Sequence, residues 1–121
     1  MIILNHSLLE TLEIKLINTK EELENTLPSD FLVIGSLELA KFAKLQGIDY
    51  AFLGDGVTKA LMASSLGAKY LLCKKLVFAK QMQKIAENYL LDMKIISIIH
   101  DEKEIEEIAT DGIDGVIFWN N

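Results

Sequence analysis

Five short apolar runs punctuate the chain: "FLVIG" (31–35), "YAFLG" (50–54), "KYLLC" (69–73), "KIISII" (94–99) and "GVIFW" (115–119). Each is continuous rather than alternating. That is the pattern of a strand covered on both faces, as in parallel sheets. The segments between them are spaced like helices. "LELAKFAKLQ" (37–46) sets Leu39, Phe42 and Ala43 on one side. "LVFAKQMQKIAENYLL" (76–91) sets Phe78, Met82, Ile85, Ala86 and Tyr89 on one face, with Lys80, Lys84, Glu87 and Asn88 elsewhere. "DEKEIEEIAT" (101–110) carries acids in its first turn, where the helix dipole favours them, and turns Ile105, Ile108 and Ala109 inward.

A weak internal repeat runs through these units. "QGIDYAFL" (46–53), "LGAKYLL" (66–72) and "DGIDGVIF" (111–118) share one plan: a helix ends, Gly follows, two residues link, and a strand begins. Gly47, Gly67 and Gly112 fall where a helix C-terminus needs a left-handed residue. The first thirty residues are patterned less clearly. "MIIL" and "EIKLI" (13–17) read as further short strands. "NTKEELENT" (18–26) reads as a capped helix, with Asn18 or Thr19 as N-cap, Glu21 or Glu22 three residues on, and Pro28 as the stop.

Alternating strands and helices predict a single α/β domain over residues 1–121, with a mainly parallel, five- or six-stranded sheet flanked by helices. The favoured form is an open, doubly wound sheet of Rossmann or flavodoxin type. The alternative is a half (βα)-barrel that closes by dimerising.

Open parallel sheets bind ligands at the carboxyl ends of their strands. Those ends should present Ser36, Asp55, Lys74 with Lys75, His100 with Asp101, and Asn120 with Asn121. In Gly54-Asp55-Gly56, Asp55 is a general base or hydrogen-bond acceptor, with glycines permitting close backbone approach. The helix start beyond it, with Thr58 and Lys59, would receive an anion. The structural alternative makes Asp55 the N-cap of that helix, with the two glycines relieving a tight turn. "GDGVTK" (54–59) fits neither the dinucleotide fingerprint nor the P-loop. Lys74 is an electrophile or anion holder if desolvated, and a solvated helix start if not. His100 beside Asp101 suggests an acid or base; Asp101 is equally an N-cap with Glu104 completing a capping box. Cys73 reads as a core residue, with a thiol paired to His100 as the alternative. Phe118 and Trp119 pack in the core, or cover a sheet edge or dimer interface.

Composition narrows the partners. The 121 residues carry a net charge of −6, and all twelve basic residues are lysine. Without arginine, guanine readout and bidentate clamping of phosphate are lost, which argues against a nucleic-acid partner. One cysteine among 121 residues fits a reducing compartment, taken as the cytoplasm. No apolar run approaches the roughly 20 residues of a membrane span, and "MIILNHSLLE" has no signal-peptide pattern. Two histidines and one cysteine, widely spaced, match no zinc pattern. No motif specifies a cofactor.

The segment 94–120 carries Gly112-Ile113-Asp114-Gly115-Val116-Ile117. It resembles the closing βα unit of phosphate-handling (βα)-barrel families. The likeness is strongest to glycerophosphodiester phosphodiesterases, whose last strand often reads Gly-x-Asp-Gly-hydrophobic. The match covers about a fifth of the chain. The chain has no Arg, hence no counterpart of that family's His-Arg pair, and no Glu-x-Asp metal motif beside the segment. The family's activity is therefore not carried over. Three readings stand: a binder of a small anionic metabolite at the C-terminal edge of the sheet; a lyase- or hydrolase-type enzyme using Asp55 or His100 with Lys74; and a non-catalytic oligomerising scaffold joined through Phe118 and Trp119.

Overall fold

All five apolar runs form strands, and so do both short runs of the first thirty residues. The computed structural model describes residues 1–120; Asn121, read above as a strand-end residue, lies outside them. Among the described residues the order is β1 (Ile2–Leu4), β2 (Ile14–Ile17), α1 (Lys20–Glu24), β3 (Phe31–Ile34), α2 (Leu37–Leu45) and β4 (Ala51–Leu53). There follow α3 (Val57–Ser65), β5 (Tyr70–Cys73), α4 (Leu76–Tyr89), β6 (Lys94–Ile99), a 3-10 turn (Glu102–Glu104) leading into α5 (Ile105–Thr110), and β7 (Gly115–Phe118). The sheet thus has seven strands, not the five or six expected. The difference is β1 and β2, which flank the seam and are mostly only half-buried, with Lys15 interrupting the apolar run of β2.

Every pairing is parallel, and the strand order is β1-β7-β6-β5-β4-β3-β2. From β2 to β7 each strand is added beside its predecessor and the order never reverses. A doubly wound sheet requires a reversal, so that expectation is corrected. With right-handed crossovers, an unreversed order puts all helices on one face. The core divides accordingly. Helix residues such as Ala40, Ala60, Phe78, Met82 and Ile108 pack against Ile34, Phe52, Leu71 and Ile95 on one side of the sheet. The other side is a cluster of strand residues alone: Val33, Ala51, Leu72, Ile96, Ile98 and Ile117.

That second cluster is no more than 8% exposed, although no helix residue belongs to it. Its members bury one another, which requires the sheet to curl. Leu4 of β1 lines the same cavity as Phe31 of β3 and Tyr70 of β5. β1 and β3 stand five places apart in the strand order, and a flat sheet would separate them by about 24 Å. The architecture is an open half-barrel with an unpaired seam: among the described residues β1 pairs only with β7, and β2 only with β3. Each strand's side chains alternate between the two clusters. This explains why the strands read as continuous apolar runs.

The crossover from β1 to β2 has no helix. Asn5 turns it with a left-handed backbone (φ 61°). Its Nδ2 donates to the Phe118 carbonyl at 2.8 Å, and its Oδ1 accepts from the Leu12 N–H at 2.9 Å. Gly47, Gly67 and Gly112 have φ of 69°, 82° and 75°, as the repeat predicts. Leu90 occupies the equivalent place after α4 with φ 52°. Tyr89, assigned above to the inward face of α4, is 74% exposed because the helix ends there. Buried Gln83 takes part in its stead. Its side chain donates to Asp114 Oδ1 (3.1 Å) and accepts from the Asp114 N–H (3.0 Å), while Asp114 Oδ2 accepts from the Ile95 N–H (2.9 Å). No helix among the described residues is long and apolar enough to cross a membrane.

Candidate functional site

Because all strands run parallel, their carboxyl ends share one mouth of the half-barrel. Ser36, Asp55, Lys74, His100 and Trp119 follow β3, β4, β5, β6 and β7 there. Within that mouth they separate into caps and groups facing open space.

Ser36 is a cap. Its Oγ accepts from the Leu39 N–H at 3.2 Å and closes the start of α2. Asp101 is a cap too: its carboxylate accepts from the Lys103 N–H at 2.9 Å. Glu104 Oε2 accepts from the backbone N–H groups of His100 and Asp101 at 2.8 and 2.9 Å, completing the expected capping box. Thr19 closes α1 in the same way.

Asp55 is different. The N-cap of α3 is Gly56, and no side chain caps that helix. The capping role offered for Asp55 is therefore corrected: the helix begins one residue too late for it. Asp55 is exposed beside a cavity of about 230 Å³ lined by Leu53, Gly54, Asp55, Lys74, Lys75 and Phe78. Lys75 is the N-cap of α4, again without a side-chain hydrogen bond to that helix. The cavity therefore sits between two helix starts whose free N–H groups meet no protein acceptor side chain. The three ion pairs among the described residues are His6–Glu102, Lys15–Asp30 and Lys80–Asp111, so none engages Asp55, Lys74 or Lys75. Thr58 and Lys59 are exposed in the first turn of α3, beyond the lining residues.

The two glycines serve unequal purposes. A Cβ at Gly54 would lie 2.9 Å from the Phe52 ring, so the chain can pass over that buried aromatic only without a side chain. Gly56 has φ −123°, extended backbone that any residue adopts, and open space where a Cβ would go. Turn geometry does not require a glycine at 56.

His100 is not brought to this cavity. It lines another, of about 400 Å³, with Asn5, His6, Ser7, Asp101, Glu102 and Phe118, at the ends of β1, β6 and β7. His6 follows β1 in a stretch with no periodicity to mark its place. Its Nε2 meets Glu102 Oε2 at 2.9 Å, its Nδ1 accepts from the Leu8 N–H at 3.0 Å, and its ring packs edge-on against Phe118 with centroids 5.1 Å apart. Both ring nitrogens are occupied, so His6 pins the β1–β2 crossover. Phe118 packs with the helix-side cluster and Trp119 with the concave one, each half-buried within the chain.

Cys73 is fully buried, and that burial pushes its thiol up to about 12. It holds its proton at neutral pH and cannot serve as a thiolate nucleophile. Asp114 of the Gly-x-Asp-Gly segment precedes β7, at the opposite edge of the sheet from the candidate site. Its carboxylate is committed to Ile95 and Gln83. Among the described residues no group of three or more His, Cys, Asp or Glu side chains is placed to hold a metal ion. Comparison with family models and with curated proteins finds no match to this chain.

Proposed function

We propose that the chain binds a small anionic metabolite at the carboxyl mouth of its half-barrel, over β4 and β5. The observation that carries this reading is the cavity between Asp55, Lys74, Lys75 and Phe78, flanked by two helix starts that no side chain caps. The other helix starts on this mouth are closed by Thr19, Ser36 and Asp101. Free N–H groups and lysine ammoniums together suit an anion. Asp55 would accept a hydroxyl of the same ligand, and Leu53 and Phe78 would cover its carbon frame. With no arginine in the chain, the anion is held by point charges and backbone donors. Cytoplasmic residence, where small phosphorylated metabolites and reduced thiols are found, belongs to the same proposal.

The test is a thermal-shift titration with inorganic phosphate and with a three-carbon sugar phosphate. A ligand at ten times its Kd should stabilise by about 1.4 kcal/mol. Lys74→Ala should abolish the shift. Gly56→Asp supplies a carboxylate cap to α3, so it should raise the melting temperature of the free protein and abolish the response to anion. His100→Ala should leave the response intact. If neither anion shifts the wild-type melting temperature at millimolar concentration, the reading fails.

A lyase- or hydrolase-type enzyme is the second reading. It is favoured by Asp55 and Lys74 lining one cavity, with the Asp55 carboxylate in no ion pair among the described residues. His100, at a different cavity, has no part in that version.

A further inference from the structure

The half-barrel stops at β2, and the surface beside that strand is shaped to take another. β2 pairs with β3 along all four of its residues and, among the described residues, with no strand on its other side. In a parallel ladder alternate residues direct their N–H and C=O groups to opposite neighbours. The Glu13 carbonyl accepts from the Phe31 N–H at 2.9 Å, which sets the phase. Glu13, Lys15 and Ile17 face β3, and the N–H and C=O of Ile14 and Leu16 point outward. Leu16, on the concave side, is 38% exposed, whereas its register partner Val33 on β3 is fully buried.

A groove of about 630 Å³ follows this edge, lined by Lys15, Leu16 and Ile17 of β2 and by Thr19, Glu21 and Glu22 at the start of α1, among others. Successive strand residues point to opposite faces. A groove touching three in a row must therefore run along the edge itself. Its charge is one-sided. Lys15 is paired with Asp30 at 3.0 Å, and the Lys20 ammonium sits over the Phe42 ring, 5.2 Å from its centroid. Glu21 and Glu22 present exposed carboxylates on the groove wall, Glu22 accepting from the Asn18 N–H at 3.2 Å through Oε2.

We propose that the free edge of β2 docks an extended basic segment of a partner protein, added as a parallel eighth strand. Its backbone bonds to Ile14 and Leu16, its apolar side chains meet Leu16, and its alternate lysines or arginines meet Glu21 and Glu22. One added strand brings the sheet to the eight of a closed parallel barrel, and addition to a sheet edge is an established mode of peptide recognition. The acidic wall selects the basic occupant.

The probe is a capped six-residue peptide alternating lysine and valine, with an alternating glutamate and valine peptide as control, followed by amide resonances of the whole chain. The lysine peptide should bind, shift the Ile14 and Leu16 amides and slow their hydrogen exchange; the glutamate peptide should not. Leu16→Pro removes an outward N–H without touching the β3 ladder and should abolish binding. Should that variant fail to fold, Glu21→Lys decides, with binding expected at least tenfold weaker. Three results overturn the proposal: equal binding of both peptides, no binding of either, or Ile14 and Leu16 amides that become protected with protein concentration alone. The last would make the occupant a second copy of this chain.

Discussion

Replacing Asp114 by alanine tests whether the aspartate of the Gly-x-Asp-Gly segment is structural. Its two oxygens accept from the Ile95 N–H at 2.9 Å and from Gln83 Nε2 at 3.1 Å, and Gln83 is only 6% exposed. The alanine leaves the Ile95 N–H without a partner, and Gln83 Nε2 with only its longer contact to Glu87 Oε1 at 3.4 Å, at a covered junction of α4, β6 and β7. Each unsatisfied donor costs about 1–3 kcal/mol. Because Asp114 is half-buried and water reaches part of the site, the lower half of that range applies. One orphaned donor and one lost hydrogen bond give an expected loss of about 1.5–3 kcal/mol, or a fall in melting temperature of roughly 6–12 °C for a chain of this size. Asp114→Asn makes a sharper control. Asparagine has one acceptor oxygen, so if it keeps the Ile95 N–H its amide nitrogen faces Gln83 Nε2, donor against donor. Rotating the Gln83 amide cures that contact but turns Nε2 onto the Asp114 N–H. One bond is lost in either arrangement, so about 1–2 kcal/mol should disappear. Urea denaturation with a common m-value measures all three proteins. A cost below about 0.5 kcal/mol for the alanine variant would refute the argument, since it falls outside the range for even one orphaned donor. Anion binding at the opposite mouth should be unchanged in whatever fraction remains folded.

Gly115→Ala would place a Cβ 2.5 Å from the Ile2 carbonyl oxygen and 2.7 Å from its Cβ, so β1 must move away from β7. The expected cost is about 1–3 kcal/mol, with loss of exchange protection confined first to β1. Leu90→Gly should stabilise by about 0.5–1 kcal/mol in thermal denaturation, because Leu90 holds φ 52° while 85% exposed and loses little packing. The Leu27 N–H, then Lys15, holds the Asp30 carboxyl below its ordinary 3.8. A depressed folded value means its contribution is complete above the unfolded value and vanishes as pH falls through the folded one. Urea midpoints measured between about pH 2 and 5 should therefore fall more steeply for the wild type than for Asp30→Asn. Cys73, buried and with its thiol raised to about 12, should react with a thiol reagent only at the rate of global unfolding.

The elements were legible in the sequence wherever a strand is covered on both faces. β3 to β7 could be read because both faces of each are covered; β1 and β2, three and four residues beside the seam, left only hints. The helix ends were legible because the left-handed residues at 47, 67 and 112 are glycine, while Leu90 does the same work without announcing it. Strand order was not legible. A continuous apolar run records burial on two faces, and a helix layer or a curl onto neighbouring strands provides the second cover equally well. The doubly wound expectation failed on that ambiguity. At the mouth, sequence spacing brought every strand-end residue to one edge. It offered the Asp101 cap with Glu104 as one of two readings, but it could not tell that Ser36 spends its oxygen on a cap or that Asp55 stands one residue outside its helix. One turn of backbone decides between those outcomes, and no composition rule resolves it.

The unreversed strand order also explains how chemistry and support are divided. With all helices outside the curl, each βα turn opens on the same mouth and each αβ turn on the other. At the N-terminal edge the connections are bound closely: the Gln83–Asp114–Ile95 bonds on one side and the Lys15–Asp30–Leu27 bonds on another. At the carboxyl mouth three helix starts are closed by their own side chains and the crossover from β1 is pinned by Asn5 and His6. The turns after β4 and β5 are the exception, with two uncapped helix starts, a carboxylate and two lysines that form no ion pair among the described residues around one cavity. The backbone leaves room for a cap at Gly56, since a Cβ there meets no atom within 4 Å. Stability alone would favour Ser or Asp at that position over Gly by a few tenths of a kcal/mol. The same carboxylate or hydroxyl would occupy the N–H groups that a bound anion needs. Gly56→Asp therefore sets the two requirements against each other, and a variant that is both more stable and unresponsive to phosphate is the outcome a binding site predicts.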